Sequence, residues 1–235
     1  MTYRVSQINS DISKKVLIVA AHPDDEVLGC GGTIARHTDD RDEVHVVFMA
    51  DGVSSRKDKE YDKKIQNRKD SAIAASKILG VESVEFFGFP DNRMDTLAML
   101  DIVKKLEEVF DKIRPSVVYT HFSCDLNIDH RITHQAVMTI CRPLPKQVVR
   151  EIYSFEIPSS TGWLSPSQEN AFTPHRFVNV ANTMDRKIEA LNAYKEEIYE
   201  FPHFRSIKGV VSMMQMRGAS VGVSSVESFM VLRQI

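Results

Sequence analysis

Four short apolar runs, separated by helix-length stretches, constrain this chain more than any other feature. The first, Val16-Leu17-Ile18-Val19-Ala20, lies between the polar Ser13-Lys14-Lys15 and the His22-Pro23 pair. Five consecutive apolar and largely β-branched residues read as a strand buried on both faces. Comparable runs follow at 43–50, 84–89 and 116–120. Between them lie a helical stretch at 31–37, a strong helix over 60–80 stopped by Gly80, and a helix over 96–113. In that last segment Leu97, Leu100, Val103, Leu106, Phe110 and Ile113 recur mostly every three or four residues before Pro115. Strand and helix alternating in this way predict an α/β fold with a parallel, helix-covered sheet and right-handed crossovers.

Beyond Pro143 the pattern loosens. A strand is expected over 151–157, helices over 184–199 and around 207–217, and a closing segment at 229–232. Between them the Ser/Pro-rich stretch 158–174 carries Trp163 and suits a lid, a binding loop or a contact in a homo-oligomer. With 235 residues and 43% hydrophobic content, the expectation is a single domain over 1–235. A net charge of −2 with dispersed Lys and Arg lacks the basic footprint of a nucleic-acid binder. The apolar runs are of strand length, and Met1-Thr2-Tyr3-Arg4 opens no hydrophobic signal region. No membrane span or secretion signal is therefore predicted, and a cytoplasmic protein is expected. Cys30, Cys124 and Cys141 are odd in number and widely spaced, against a disulfide framework or a Cys-based zinc site.

The first strand delivers Ala21-His22-Pro23-Asp24-Asp25-Glu26, followed by Gly29-Cys30-Gly31-Gly32. In open parallel sheets ligands gather beyond the carboxyl ends of strands, which is where these side chains project. Helix capping and close packing would account for one acid and the glycines, but not for His-Pro-Asp-Asp-Glu. A second polar cluster, from His121 to His130, follows the fourth strand. His22, Asp25 and His130 together offer two imidazoles and a carboxylate, the donor set of a catalytic Zn²⁺ with one position left for water or substrate. Asp24 is then placed to take a proton from the attacking water. Asp129 either caps the next helix or orients a metal-bound His. His134, one turn beyond His130, is either a second metal ligand or an ordinary packed histidine. Arg56, in the polar loop 51–56, and Asp91-Asn92, beyond the third strand, are candidate substrate contacts. For Arg56 the alternative is a solvated loop charge.

These residues resemble a family, the LmbE-like or PIG-L-type zinc-dependent deacetylases acting on N-acetylglucosamine-containing substrates. The resemblance rests on Ala21 to Glu26 with its small-residue run, and on Asn127-Ile128-Asp129-His130 in place of a His-Pro-Asp-His motif. It extends to Arg68, Phe89-Pro90-Asp91-Asn92 and the region from Arg217-Gly218 to Phe229. It implies a Rossmann-like three-layer sandwich, His22, Asp25 and His130 as zinc ligands, and Asp24 as general base. One departure stands out: Asn127 replaces the histidine thought to help polarise the acetyl carbonyl in the family. Asn donates a hydrogen bond without positive charge, and losing one oxyanion donor typically costs about 10²–10³ in turnover. His121 or Arg56 are candidates to compensate.

The resulting expectation is a zinc-dependent hydrolase that removes the acetyl group from an acetamido sugar. A sugar- or nucleotide-binding protein with weakened catalysis is the alternative that Asn127 motivates. A dinucleotide-binding loop is disfavoured, because Gly29, Gly31 and Gly32 lack Gly-x-Gly-x-x-Gly spacing and the adjacent acids would repel pyrophosphate.

Overall fold

The computed structural model describes residues 13–55, 60–165, 167 and 170–235, so Arg56 lies outside the described residues. Strands β1 (Lys15–Ala20), β2 (Glu43–Ala50), β3 (Ser83–Phe89), β4 (Val117–His121), β5 (Glu151–Phe155), β6 (Arg176–Asn179) and β7 (Val226–Gln234) form one sheet in the order β3-β2-β1-β4-β5-β7-β6. The first five strands pair in parallel, while β7 runs antiparallel to both β5 and β6. The strand order reverses direction at β1, between β2 and β4. Such a switch point opens a crevice at the carboxyl ends of β1 and β4.

Alternation of side chains along β1 explains the two outer layers. Val16, Ile18 and Ala20 enter one core, shared with helices α1 (Asp25–Asp39), α2 (Tyr61–Leu79), α5 (Met184–Ala193) and α6 (Ile207–Ala219). Leu17 and Val19 enter the other, shared with α3 (Met99–Ile113) and α4 (Ile128–Ile140). The sheet is thus buried on both faces, the sandwich that an apolar five-residue strand demands. On α3 the buried stripe is Ile102, Val103, Leu106, Val109, Phe110 and Ile113, whereas Leu100 stays exposed.

Helix α1 starts at Asp25, earlier than the glycine run suggested, and breaks at Cys30, whose φ is −149°. Gly29 sits where a Cβ would come within 2.4 Å of the Phe155 ring, so only glycine lets α1 approach β5 this closely. The break frees backbone groups that a continuous helix would pair. Glu227, on β7, accepts the Gly32 and Thr33 N–H groups at 2.9 and 2.7 Å. Lys187, on α5 and fully buried, donates to the Leu28 carbonyl at 2.9 Å and to Glu227 Oε1 at 2.6 Å. One buried ion pair therefore satisfies both sides of the break.

Several boundaries differ from the sequence expectation: β5 ends at Phe155 rather than 157, α3 starts at Met99 rather than 96, β7 spans Val226–Gln234 rather than 229–232, and β6 is an additional strand. Helix α5 ends at Ala193, because Tyr194 turns inward to donate to Glu26 Oε1 at 2.5 Å and Glu197 pairs with Arg68. The four-residue β6 is a short edge strand too brief to show a pattern. No helix of the described residues is long and apolar enough to cross a membrane.

Candidate metal centre and active site

The carboxyl ends of β1 and β4 bring the two polar clusters together. Asp25, the first residue of α1, is completely buried, and its Oδ2 accepts the His22 N–H at 2.9 Å. Around that oxygen stand His22 Nδ1 at 3.2 Å, His130 Nε2 at 3.2 Å and His121 Nε2 at 3.6 Å. His121 Nε2 is already the acceptor of the Ala21 N–H at 2.8 Å, so that nitrogen is engaged by backbone. Burial and the neighbouring His130 lower its pKa well below the ordinary value, which keeps it neutral. His134 donates Nδ1–H to the His121 carbonyl at 2.8 Å and stays outside the cluster.

Among the described residues two donor groups could hold a cation, His22 with Asp25 and His130, and His22 with Asp91 and Asp129. Hydrogen bonding separates them. Asp129 is saturated by the Asn92 N–H at 2.6 Å, the Met94 N–H at 3.0 Å and His22 Nε2 at 3.0 Å. Asp91 lies 3.1 Å from His22 Nε2 through Oδ1, and its Oδ2 accepts from the Ser55 hydroxyl. In the first group, by contrast, Asp25 Oδ1 and His130 Nε2 are buried without a hydrogen-bond partner among the described residues. Buried polar atoms are costly unless something satisfies them. Two imidazoles, a carboxylate and two orphaned donor atoms fit a divalent cation of the zinc type.

The carboxylates around the cluster divide their work. Asp125 Oδ1 lies 3.1 Å from His130 Nδ1, fixing that ring with Nε2 toward Asp25. Ser160 and Thr161 donate in turn to Asp125 Oδ2. Asp129 and Asp91 orient His22 in the same way from its far nitrogen. Such partners set the tautomer and basicity of a metal-bound histidine. Burial pushes Asp125 and Asp91 upward, but His130 and His22 respectively outweigh it and hold each at about 2. The helix cap is Asn127, not Asp129, since Asn127 Oδ1 accepts the Asp129 N–H at 2.8 Å. That bond turns the Asn127 amide outward as a donor, with Nδ2 3.2 Å from Asn92 Oδ1.

Asp24 occupies a different environment from Asp25. Its backbone sits at φ 122°, a conformation that costs a non-glycine residue on the order of 1–3 kcal/mol. Its N–H donates to Glu26 Oε2 at 3.0 Å and its carbonyl accepts from Val27 and Leu28. Oδ2 meets Arg205 Nη1 at 2.8 Å and Arg68 Nη2 at 3.3 Å, while buried Oδ1 has no hydrogen-bond partner among the described residues. Burial raises the Asp24 pKa to about 6 against the lowering pull of Arg205 and Arg68. Glu26 is likewise pushed up by burial, to about 8, against the stabilising bond from Tyr194.

Sequence reasoning left Asp125, Arg205 and Glu197 without roles. Asp125 carried a signal, standing five residues before His130 within the same strand-end cluster. Arg205 carried none, because it reaches Asp24 across 181 residues.

An open α/β sheet with a candidate cation cluster beside a buried, arginine-flanked acid is an arrangement that suits metal-assisted hydrolysis. The chain belongs to the PIG-L family, whose model, described as GlcNAc-PI de-N-acetylase, matches residues 17–141 and so spans both strand-end clusters. It is an N-deacetylase-type hydrolase. Among its relatives is the uncharacterized deacetylase YaiS of Escherichia coli K12, 32% identical over 188 residues, covering 77% of this chain and 91% of that one. The 4-oxalmesaconate hydratase of Pseudomonas putida KT2440 is 30% identical over 211 residues, covering 80% and 76%. The diacetylchitobiose deacetylase of Thermococcus kodakarensis is 25% identical over 228 residues, covering 88% and 80%. Among solved structures, the N,N'-diacetylchitobiose deacetylase of Pyrococcus horikoshii superposes with a TM-score of 0.77 at 20% identity, covering 94% of this chain and 84% of that one.

Proposed function

We propose that this chain removes the N-acetyl group from an acetylated amino sugar, in an N-acetylglucosamine-type glycoconjugate or sugar nucleotide, with Zn²⁺ held by His22, Asp25 and His130. The observation that carries this reading is the pairing of a three-donor candidate cation cluster with Asp24, a buried acid whose Oδ1 has no hydrogen-bond partner among the described residues. Relatives named as deacetylases of acetylated sugars support the substrate class.

A cation in the cluster would supply Lewis acidity toward the acetamide carbonyl and acidify a water beside it. Asp24 Oδ1 is the free acceptor for that water's proton, and a carboxylate raised toward neutrality suits a base that must also return a proton. As the water oxygen bonds to the carbonyl carbon, the second N–H of Asn127 Nδ2, whose first meets Asn92 Oδ1, would donate to the carbonyl oxygen where it gains charge. The C–N bond then breaks, Asp24 hands its proton to the departing amine, and acetate and a free amino sugar result. Arg205 and Arg68 keep Asp24 in place throughout and limit the cost of its negative charge. Asn92, exposed beside Asn127, would contact substrate, whereas buried Asp91 would act through His22.

The test is a panel of acetamido sugars assayed for free amine with and without chelator. Chelator-sensitive amine release that is lost in His22→Ala is expected; full activity in that variant would overturn the metal site. The hydratase relative supports a second reading, since the same site could add water across a carbon–carbon double bond. Hydration of an unsaturated tricarboxylate, with no amine released from any sugar, would select it.

A further inference from the structure

Outside the site already described, a cluster of exposed rings is tied to Arg205, the residue that pairs with Asp24. Trp163 is 53% exposed and Phe204 42%, with ring centroids 6.2 Å apart and planes within 32° of parallel. His203 meets Trp163 edge-on at 5.4 Å and Tyr199 at 4.4 Å. The next residue after Phe204 is Arg205, which holds Asp24 at 2.8 Å. Its Nε donates to Ser159 Oγ at 2.9 Å, and the Ser159 carbonyl in turn accepts the Trp163 N–H at 2.9 Å. The rings and the catalytic acid thus hang on one hydrogen-bonded frame.

That frame is pre-shaped. His203 Nδ1 accepts the Arg205 N–H at 3.0 Å and the Arg205 carbonyl accepts the Tyr199 N–H at 3.5 Å, closing the 199–205 turn on itself. At Gly162 a Cβ would lie 2.5 Å from the Pro158 carbonyl oxygen and 3.0 Å from the Phe204 ring, so glycine is what lets the two segments dock. Rings held in advance lose little freedom on binding.

We propose that Trp163 and Phe204 form a stacking platform for a second sugar ring, glycosidically joined to the acetamido sugar whose amide lies at Asp24. The proposal rests on the deacetylase reading for the first ring. Sugar rings present apolar C–H faces that pack on aromatic faces, with hydroxyls around the edge seeking polar partners. Here the exposed rings alternate with the half-buried His203 and Arg205, which suits an amphipathic saccharide. A lipid chain or a second copy of the protein would call for a continuous apolar face.

Trp163 is the single tryptophan in the chain, so native fluorescence reports on the platform directly, without metal or turnover. Titration of the wild-type protein with an N-acetylglucosamine disaccharide is expected to change the emission saturably, at concentrations where the monosaccharide has far less effect. In parallel, Phe204→Ala is expected to raise the ratio of disaccharide KM to monosaccharide KM about fivefold, with Phe204→Tyr restoring it. An unchanged ratio, or an emission indifferent to the disaccharide, would overturn the platform. So would a Phe204→Ala protein that changes oligomeric state while its sugar response is unchanged, because the rings would then be a subunit contact. Amine release without a fluorescence response sinks the platform alone. A saturable response without amine release from any sugar supports the platform and sinks the deacetylase reading.

Discussion

Asp24 and Asp25 are adjacent in the chain and opposite in circumstance. Asp25 turns into a nest of imidazoles, whereas Asp24, through a positive φ, turns toward two guanidiniums. That contrast is what the proposed division of labour rests on, one carboxylate to bind and one to move protons. Asp24→Asn is expected to lower turnover by about 10²–10⁴ while metal analysis shows unchanged occupancy. Asp125→Asn should do the reverse, weakening metal affinity by about 10- to 100-fold in a chelator competition, with turnover recovering at saturating metal. His22, Asp25 and His130 could be picked out from the sequence because each sits at a strand end in a run rich in acids and histidines. Asp125 lay in plain view there, but only the structure pairs it with His130 rather than leaving that role to Asp129. The strain at Asp24 has no signature in residue type, since no other aspartate among the described residues has a positive φ.

At the level of elements, the decisive piece is the break in α1. A helix interrupted in the core exposes donors and acceptors together, and the Lys187–Glu227 pair answers both. Removing one partner leaves the other charged and buried, so Lys187→Met is expected to cost about 3–5 kcal/mol in urea unfolding. Adding Glu227→Gln should recover part of that loss, a non-additivity that marks the two as one unit. The same carboxylate bears on the disfavoured dinucleotide reading. The N–H groups of Gly32 and Thr33 that would greet a phosphate are already bonded to Glu227. The helical run at 31–37 was readable because glycines precede it; the earlier start at Asp25 was not, because proline, acids and the break conceal the periodicity. The parallel strands were legible as apolar runs, whereas β6 has four residues and carries no period.

Across the whole molecule, the two strand-end clusters are joined only by folding, so a cation bridging them ties α1 to α4. A ligand that binds the folded chain alone stabilises it by about 2.7 kcal/mol at a hundredfold excess over Kd. For a chain of this size that corresponds to a Tm lowered by roughly 5–10 °C on chelation, read by thermal denaturation and absent in His22→Ala. Glu227 also gives the molecule a schedule. Its partner N–H at Gly32 lies 195 residues upstream, so a ribosome emits the gap long before it emits the plug. At about 5–20 residues per second the second half of α1 waits some ten to forty seconds for its counter-anion. Helix α1, first among the described helices, is therefore among the last of them to be completed, and a nascent chain that stops short of β7 leaves the Gly32 and Thr33 N–H groups without their carboxylate.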